Sequence, residues 1–171
     1  MEDVKMNAEQ LHRTLRASQY AELVLGNHAV LLEQDYAVDQ FLSPLSTTQI
    51  QNSVQICLHQ ITDETVWMRE IRILRARLMF RWIWQDANQL TDVVTLTREL
   101  SDFADAAICA AKDFARIPLV AKHGEPIGYN GAMQNLIVIA MGKLGAQELN
   151  LSSDIDLILA FDEQGETNGR K

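Results

Sequence analysis

The sequence predicts an α+β chain: an N-terminal helical bundle, residues 1–121, leading into the first strands of a mixed sheet, residues 122–171. Three observations predict it. Apolar residues recur at three- and four-residue steps from Ala8 to about Ala115, which is the period of amphipathic helices. The stretch 136–162, LIVIAMGKLGAQELNLSSDIDLILAFD, reads as an apolar strand, a glycine-punctuated turn and a second apolar strand. Between them, Gly124, Pro126, Gly128 and Gly131 crowd into residues 122–135, which reads as a linker.

The helices follow in order. From Ala8 to about Asp35, Leu11, Leu15, Tyr20, Leu23, Val24, Val30 and Leu31 form one apolar face, with a break expected at Gly26-Asn27. Ser43-Pro44 marks a turn, and Ser46 or Thr47 caps a helix through Ile50, Val54, Cys57, Leu58 and Ile61. Thr62-Asp63 announces a helix over about Glu64 to Asn88. There Trp67, Ile71, Leu74, Leu78 and Trp82 share an arc about 80° wide, while Ile73, Phe80 and Trp84 gather on another side. A helix apolar on two faces has neighbours on both. Arg69, Arg72, Arg75, Arg77 and Arg81 lie between those faces, and two readings stand for them: pairing with acids of adjacent helices, or contact with phosphate or a partner protein. A fourth helix runs from the N-cap Thr91 through Leu96, Leu100, Phe103 and Ile108 to about Ala115. Four such helices with short connections make a bundle.

Composition bounds the function. The chain has 171 residues, 47% of them hydrophobic and 22% charged, enough for a buried core. A formal net charge of -8 argues against a nucleic-acid binder, which needs Lys and Arg to displace counterions, and leaves room for a magnesium-bound nucleotide or a protein partner. The N-terminus MEDVKMNAEQ lacks the apolar core of a signal peptide, and no run approaches the roughly 18 apolar residues of a membrane span. A cytoplasmic protein without membrane contact is the expectation. Cys57 and Cys109 fall inside apolar helical patterns and read as reduced core residues, and His12, His28, His59 and His123 lack metal-ligand spacing.

The chemistry lies in the strand-turn-strand stretch. Residues two apart on a strand project to one side, so a second strand carrying Asp154 and Asp156 aims both carboxylates at one point. Two carboxylates so close repel unless a divalent cation neutralises them, and Mg2+ suits hard oxygen ligands shared with nucleotide phosphates. Gly142, Lys143 and Gly145 form the turn, where glycines admit phosphate to backbone amides and Lys143 adds positive charge. Ser152 and Ser153 either donate hydroxyl hydrogen bonds to phosphate or merely shape the turn.

Strand, glycine pair, nine residues from Gly145 to Asp154, then D-x-D in an apolar strand is the pattern of the nucleotidyltransferase superfold. More closely, MGKLGAQELNLSSDIDLI resembles the G-M-G-K-L-G-G-x-E-L-N-x-S-S-D-I-D-L-I signature of the bifunctional glutamine synthetase adenylyltransferase/adenylyl-removing enzymes, and MREIRILRARLMFRWIW resembles the arginine-rich helix ahead of that family's first catalytic domain. The resemblance spans roughly Asp35 to Lys171. It departs at Ala140 and Ala146, where the family usually has glycine.

The resemblance implies a nucleotidyltransferase that regulates glutamine synthetase. The first catalytic copy removes AMP from an adenylylated tyrosine by phosphorolysis, giving ADP, and the second attaches AMP from ATP. The motif's position and its ELNLSSDIDLI form point to the first copy. Asp154 and Asp156 would be the catalytic metal ligands for Mg2+, and Gly142, Lys143, Gly145, Ser152 and Ser153 would hold phosphate. Glutamine synthetase, a PII-type signal protein, ATP, ADP and phosphate are the implied partners. The superfold's third carboxylate has no counterpart after Asp156, because Asp162, Glu163 and Glu166 follow too soon; this, and a polar tail read as a loop after only two strands, predict a truncated domain. The competing reading is an inactive fragment acting as a helical protein-binding module. A dinucleotide-binding fold is disfavoured, since G-x-G-x-x-G is absent and the acidic pair arrives too early.

Overall fold

The computed structural model describes residues 7–37 and 41–169. Helix α1, Ala8–Ala17, is capped by Asn7, whose side chain accepts from the amides of Glu9 and Gln10. It stops at Ser18, which is extended (φ -152°, ψ 118°) and whose hydroxyl accepts from Ala21 N at 3.3 Å to start α2, Gln19–Ala37. The expected break at Gly26-Asn27 appears as a kink at His28 (φ -135°, ψ 25°), and the interruption at Ser18 is additional. These two changes of direction divide the expected single face. Ala21, Val24 and Leu32 are buried, whereas Leu23 and Val30 lie exposed.

Helix α3, Thr47–Cys57, starts at a capping box in which Ser46 and Gln49 bond each other's backbone amides. Helix α4, Glu64–Ala87, is capped by Asp63. Helix α5, Val93–His123, is capped by Asp92 rather than Thr91: the Asp92 carboxylate accepts from Thr95 N at 2.8 Å and from its hydroxyl at 3.0 Å. A carboxylate is the better acceptor here, and both bonds hold the Asp92 pKa below the usual carboxylate value. The helix also runs past Ala115 through Pro118 to Gly124, where φ is +80°. Phe114, just before the expected end, stacks on Trp67 of α4 with ring centroids 5.2 Å apart, so α5 is still packed on α4 where the helix continues.

The two apolar faces of α4 serve two cores, as its sequence requires. Leu74, Leu78, Met79 and Trp82 pack with Ile50 and Val54 of α3 and Leu96, Leu100 and Phe103 of α5. Ala76, Phe80, Ile83 and Trp84 pack with Ala21, Val24, Leu32 and Tyr36 of α2 and with Phe41. Three of the helix's arginines pair with acids. Arg69 bonds Glu70; Arg77 grips Asp35 of α2 with two nitrogens, which raises its pKa; and Arg81 meets Glu99 of α5 at 2.7 Å. Burial lowers the Arg81 pKa, opposed by Glu99. Cys57 and Cys109 are both free thiols. Cys57 is half-buried, with its pKa raised first by burial, but Cys109 is exposed, because it faces out from α5 instead of into the core.

The strands form two antiparallel ribbons. β1, Pro126–Gly128, pairs with β4, Gly165–Thr167, and β2, Ile137–Ala140, pairs with β3, Leu157–Ala160. The expected linker and the expected terminal loop therefore each contain a strand. Both were hidden because the three-residue strands Pro-Ile-Gly and Gly-Glu-Thr hold a single large apolar residue between them and show no alternation. Their pairing needs Gly165, since a Cβ there would lie 2.0 Å from the Ile127 carbonyl oxygen. The described structure is thus α+β, mostly helical, with short antiparallel strands.

Candidate functional site

β2 ends at Ala140, and the chain enters one helical turn, α6, Gly142–Gly145. Gly142 has φ +55°, a left-handed conformation that L side chains rarely adopt. Gly145 is needed for a different reason: a Cβ would lie 2.5 Å from the Ala140 carbonyl oxygen, so only glycine lets the turn fold back on β2. Ala146 sits at ordinary αR dihedrals (φ -86°, ψ -3°), so the turn accepts a Cβ at this departure from the family pattern. Its amide donates to Gly142 O at 3.1 Å and is occupied. The amides of the first turn, at Gly142 to Leu144, have no intrahelical acceptor.

Two leucines fasten this stretch to the scaffold. Leu144 and Leu149 are buried in the same core as Ile50, Leu100 and Trp82. Leu149 N donates to Ser101 Oγ at 3.2 Å, and Gln147 Nε2 to Asp105 Oδ2 at 3.0 Å, so α5 holds the stretch by polar contacts as well.

Asn150 then organises the approach to the aspartates. Its Oδ1 accepts from Ser152 N at 3.2 Å, from Ser152 Oγ at 3.2 Å and from Ser153 Oγ at 2.7 Å. Ser153 N donates to Asn150 O at 3.1 Å. Both hydroxyls therefore shape the turn in this structure. Asn150 was missed as a site residue, although an Asn two residues before a serine is an Asx-turn signal.

Asp154 and Asp156 precede the second strand instead of lying in it. β3 begins at Leu157, opposite Ala140, and the last ladder bond runs from Met141 N to Asp156 O at 2.9 Å. Beyond that point α6 turns away, so residues 151–155 have no partner strand among the described residues. Strand alternation therefore does not fix the two side chains. Both aspartates are exposed, and neither carboxylate makes a hydrogen bond or ion pair among the described residues. Lys143, Gly142, Gly145 and Ser152 are also exposed, and Ser153 is half-buried. Of the seven expected residues, Ser152, Ser153 and Asp154 lie against α4, Asp156 just before β3, and Gly142, Lys143 and Gly145 in the α6 turn. No group of three or more His, Cys, Asp or Glu side chains at metal-binding distance occurs among the described residues.

Two open cavities flank the Leu149–Ile155 segment where it crosses α4. One, of about 390 Å3, is lined by Trp67, Ile71, Trp82 and Phe103 together with Ser153 and Asp154. The other, of about 400 Å3, contains Tyr20, Ile83, Asp86 and Ser152. A larger cavity of about 560 Å3 lies at the far end of α5, between Leu119, His123, Pro126 and Leu136, and includes none of the expected site residues.

Residues 8–171 match the model of the glutamate-ammonia ligase adenylyltransferase family. The chain is 75% identical over 166 residues to a bifunctional glutamine synthetase adenylyltransferase/adenylyl-removing enzyme of Acinetobacter baylyi, which covers 97% of this chain and 18% of that relative. A protein of the same name from Pseudomonas aeruginosa is 37% identical over 165 residues, 95% of this chain and 17% of the relative. One from Hahella chejuensis is 48% identical over 102 residues, 60% of this chain and 11% of the relative. The chain thus spans less than a fifth of the length of these relatives.

Proposed function

Because the chain belongs to the glutamate-ammonia ligase adenylyltransferase family, we propose that it forms the N-terminal part of an enzyme that controls glutamine synthetase by reversible adenylylation, and that its 142–156 segment belongs to the unit that removes AMP. The observation that carries this reading is the pair Asp154 and Asp156: two exposed carboxylates without a partner among the described residues, set one residue apart after a glycine turn and a hydroxyl-bearing turn.

That donor set fits Mg2+, a hard cation that takes one or two carboxylates and completes its shell with phosphate and water oxygens. Asp154 and Asp156 would hold it. When bound, the ion neutralises charge on the phosphates and on the leaving oxygen. The chain's own residues bind and orient. The amides at Gly142 to Leu144, without an acceptor among the described residues, and the Lys143 ammonium would take phosphate oxygens, and the Leu144 and Leu149 anchors keep that turn fixed on the scaffold.

In the reaction, an oxygen of orthophosphate bonds to the adenylyl phosphorus as the bond to the tyrosine oxygen breaks. The products are ADP and free tyrosine, and the proton of hydrogen phosphate passes to the phenolate oxygen. Positioning and charge neutralisation supply the catalysis, so no protein nucleophile is needed. The resemblance extends the reading to ATP as adenylyl donor in the longer enzyme, to a PII-type signal protein as regulatory partner, and to a cytoplasmic setting. No helix among the described residues is long and apolar enough to cross a membrane.

The test is ADP formation from adenylylated glutamine synthetase and labelled orthophosphate, by this chain extended by about 150 residues, roughly one further domain. Activity lost in Asp154→Asn and Asp156→Asn is the expected result. A silent extended chain, or one whose turnover survives both substitutions, contradicts the reading.

A further inference from the structure

Of the five arginines of α4, Arg69, Arg77 and Arg81 have acidic partners, while Arg72 and Arg75 have no hydrogen-bond or ion-pair partner among the described residues. That is notable in a chain with 23 Asp and Glu against 15 Lys and Arg. Arg72 lines none of the cavities near the aspartates, but Arg75 lines both cavities that flank the 149–155 segment. Met79, one turn on and on the same face of α4, lines both as well, and so does Leu151 of the segment. The Ser152–Asp154 turn therefore lies across the Arg75–Met79 ridge, with Ser153 and Asp154 in one cavity and Ser152 in the other.

Two carboxylates share these cavities with Arg75. Asp86 lies eleven residues further along α4, about 16 Å by helical rise, at the other end of its cavity. Asp154 shares the other cavity, yet no ion pair within 4.0 Å joins it to Arg75. An unpaired guanidinium and an unpaired carboxylate lining one cavity suit a ligand that meets both. A phosphate does so, accepting hydrogen bonds directly from the guanidinium and meeting the carboxylate through a divalent cation.

We propose that Arg75 is the helical scaffold's phosphate-binding residue, reaching the oxyanion handled at Ser152 to Asp156. The assignment rests on the nucleotidyl-transfer reading above and adds to it a contact from outside the strand-turn-strand stretch. It gives the arginine-rich helix a part in the site beyond packing, and it makes docking of the 149–155 segment on α4 a condition for full phosphate affinity.

The experiment is arginine modification of this chain by phenylglyoxal, read residue by residue by mass spectrometry, beside calorimetric titration with ADP and Mg2+. Without ligand, Arg72 and Arg75 both react. With ADP and Mg2+, modification of Arg75 slows about tenfold, the scale of one charge-assisted hydrogen bond, and Arg72 is unchanged. R75Q binds ADP about tenfold more weakly, R75K falls between, and R72Q binds as the unsubstituted chain does, with all unfolding temperatures alike because both arginines are exposed. Protection by orthophosphate alone assigns Arg75 to the attacking phosphate, and protection by ADP only assigns it to the nucleotide. Equal reactivity of Arg72 and Arg75 with every ligand, or ADP binding unchanged in R75Q while lost in D154N, overturns the role of Arg75 and leaves the carboxylate reading standing. Protection of Arg75 that persists in D154N supports the arginine contact and contradicts the carboxylate reading. A chain that binds neither ADP nor phosphate overturns both.

Discussion

Arg81 Nη1 lies 2.7 Å from Glu99 Oε2, and each side chain is only 3% exposed. The same carboxylate accepts from Trp82 Nε1 at 2.8 Å and, through its other oxygen, from Leu45 N at 3.0 Å. Arg81 also donates to the Ser43 carbonyl. Glu99 therefore ties α5 to α4 and to the turn before α3 at one buried point. Removing one partner strands the other charge, so Glu99→Ala is expected to lower unfolding stability by about 3–5 kcal/mol. Denaturant unfolding checks this, and a loss under 1 kcal/mol would show that Arg81 finds another acceptor or water.

Gly145 is limited by space, and Gly142 by its backbone angle. Gly145→Ala forces a Cβ against the Ala140 carbonyl, with an expected loss of about 1–3 kcal/mol as turn and strand separate. Gly142→Ala meets nothing within 4 Å and is strained only through its φ of +55°, at about 1–2 kcal/mol. Hydrogen exchange separates the two. Gly145→Ala should expose the bond from Met141 N to Asp156 O, and unchanged protection there would count against the close approach.

Asn150 is expected to matter through its acceptor oxygen. Asn150→Ala removes the three bonds that Oδ1 receives from Ser152 and Ser153, so the turn ahead of Asp154 should loosen, with a stability loss of about 0.5–1.5 kcal/mol. Asn150→Asp keeps the acceptor and should restore the order. Backbone NMR relaxation of residues 150–155 reads the difference; equal order in Asn150→Ala and the unsubstituted chain would contradict the role.

Asp92 carries a pH dependence. Its folded pKa is depressed by the Thr95 amide first and the Thr95 hydroxyl second. Its contribution is therefore present above the unfolded carboxylate pKa of about 3.9 and is lost as pH falls through the lower folded value. Asp92→Asn keeps a neutral cap, so the acid limb of unfolding temperature against pH should flatten below about pH 4 relative to the unsubstituted chain. Superimposable acid limbs would show that Asp92 does not carry it.

The helices were legible because their period is strong over many residues. The two faces of α4 emerged as two cores, and the pairing of its arginines could be anticipated because three of the five sit beside acids of α2, α5 and their own helix. Boundaries were less legible. Ser18 ends a helix by bonding locally to Ala21, a signal that looks like any solvent-exposed serine. β1 and β4 could not be read because their pairing depends on a close approach at Gly165, a long-range property with no local apolar pattern. At the candidate site the residue types were legible and their placement was not. Asp154 and Asp156 fall just before β3 because β2 ends at Ala140 and offers no partner beyond Asp156. The contribution of Arg75 depends on which segment crosses α4, which only the folded chain reveals.

Asp154 and Asp156 are proposed to form a divalent-cation site that binds nucleotide phosphate. Mn2+ binding to this chain in the presence of ADP, followed by electron paramagnetic resonance, tests it most directly. Saturable binding that weakens at least about tenfold in Asp154→Asn and in Asp156→Asn is expected, with the fold unchanged because both side chains are exposed. Binding that is the same in both variants and in the unsubstituted chain would contradict it.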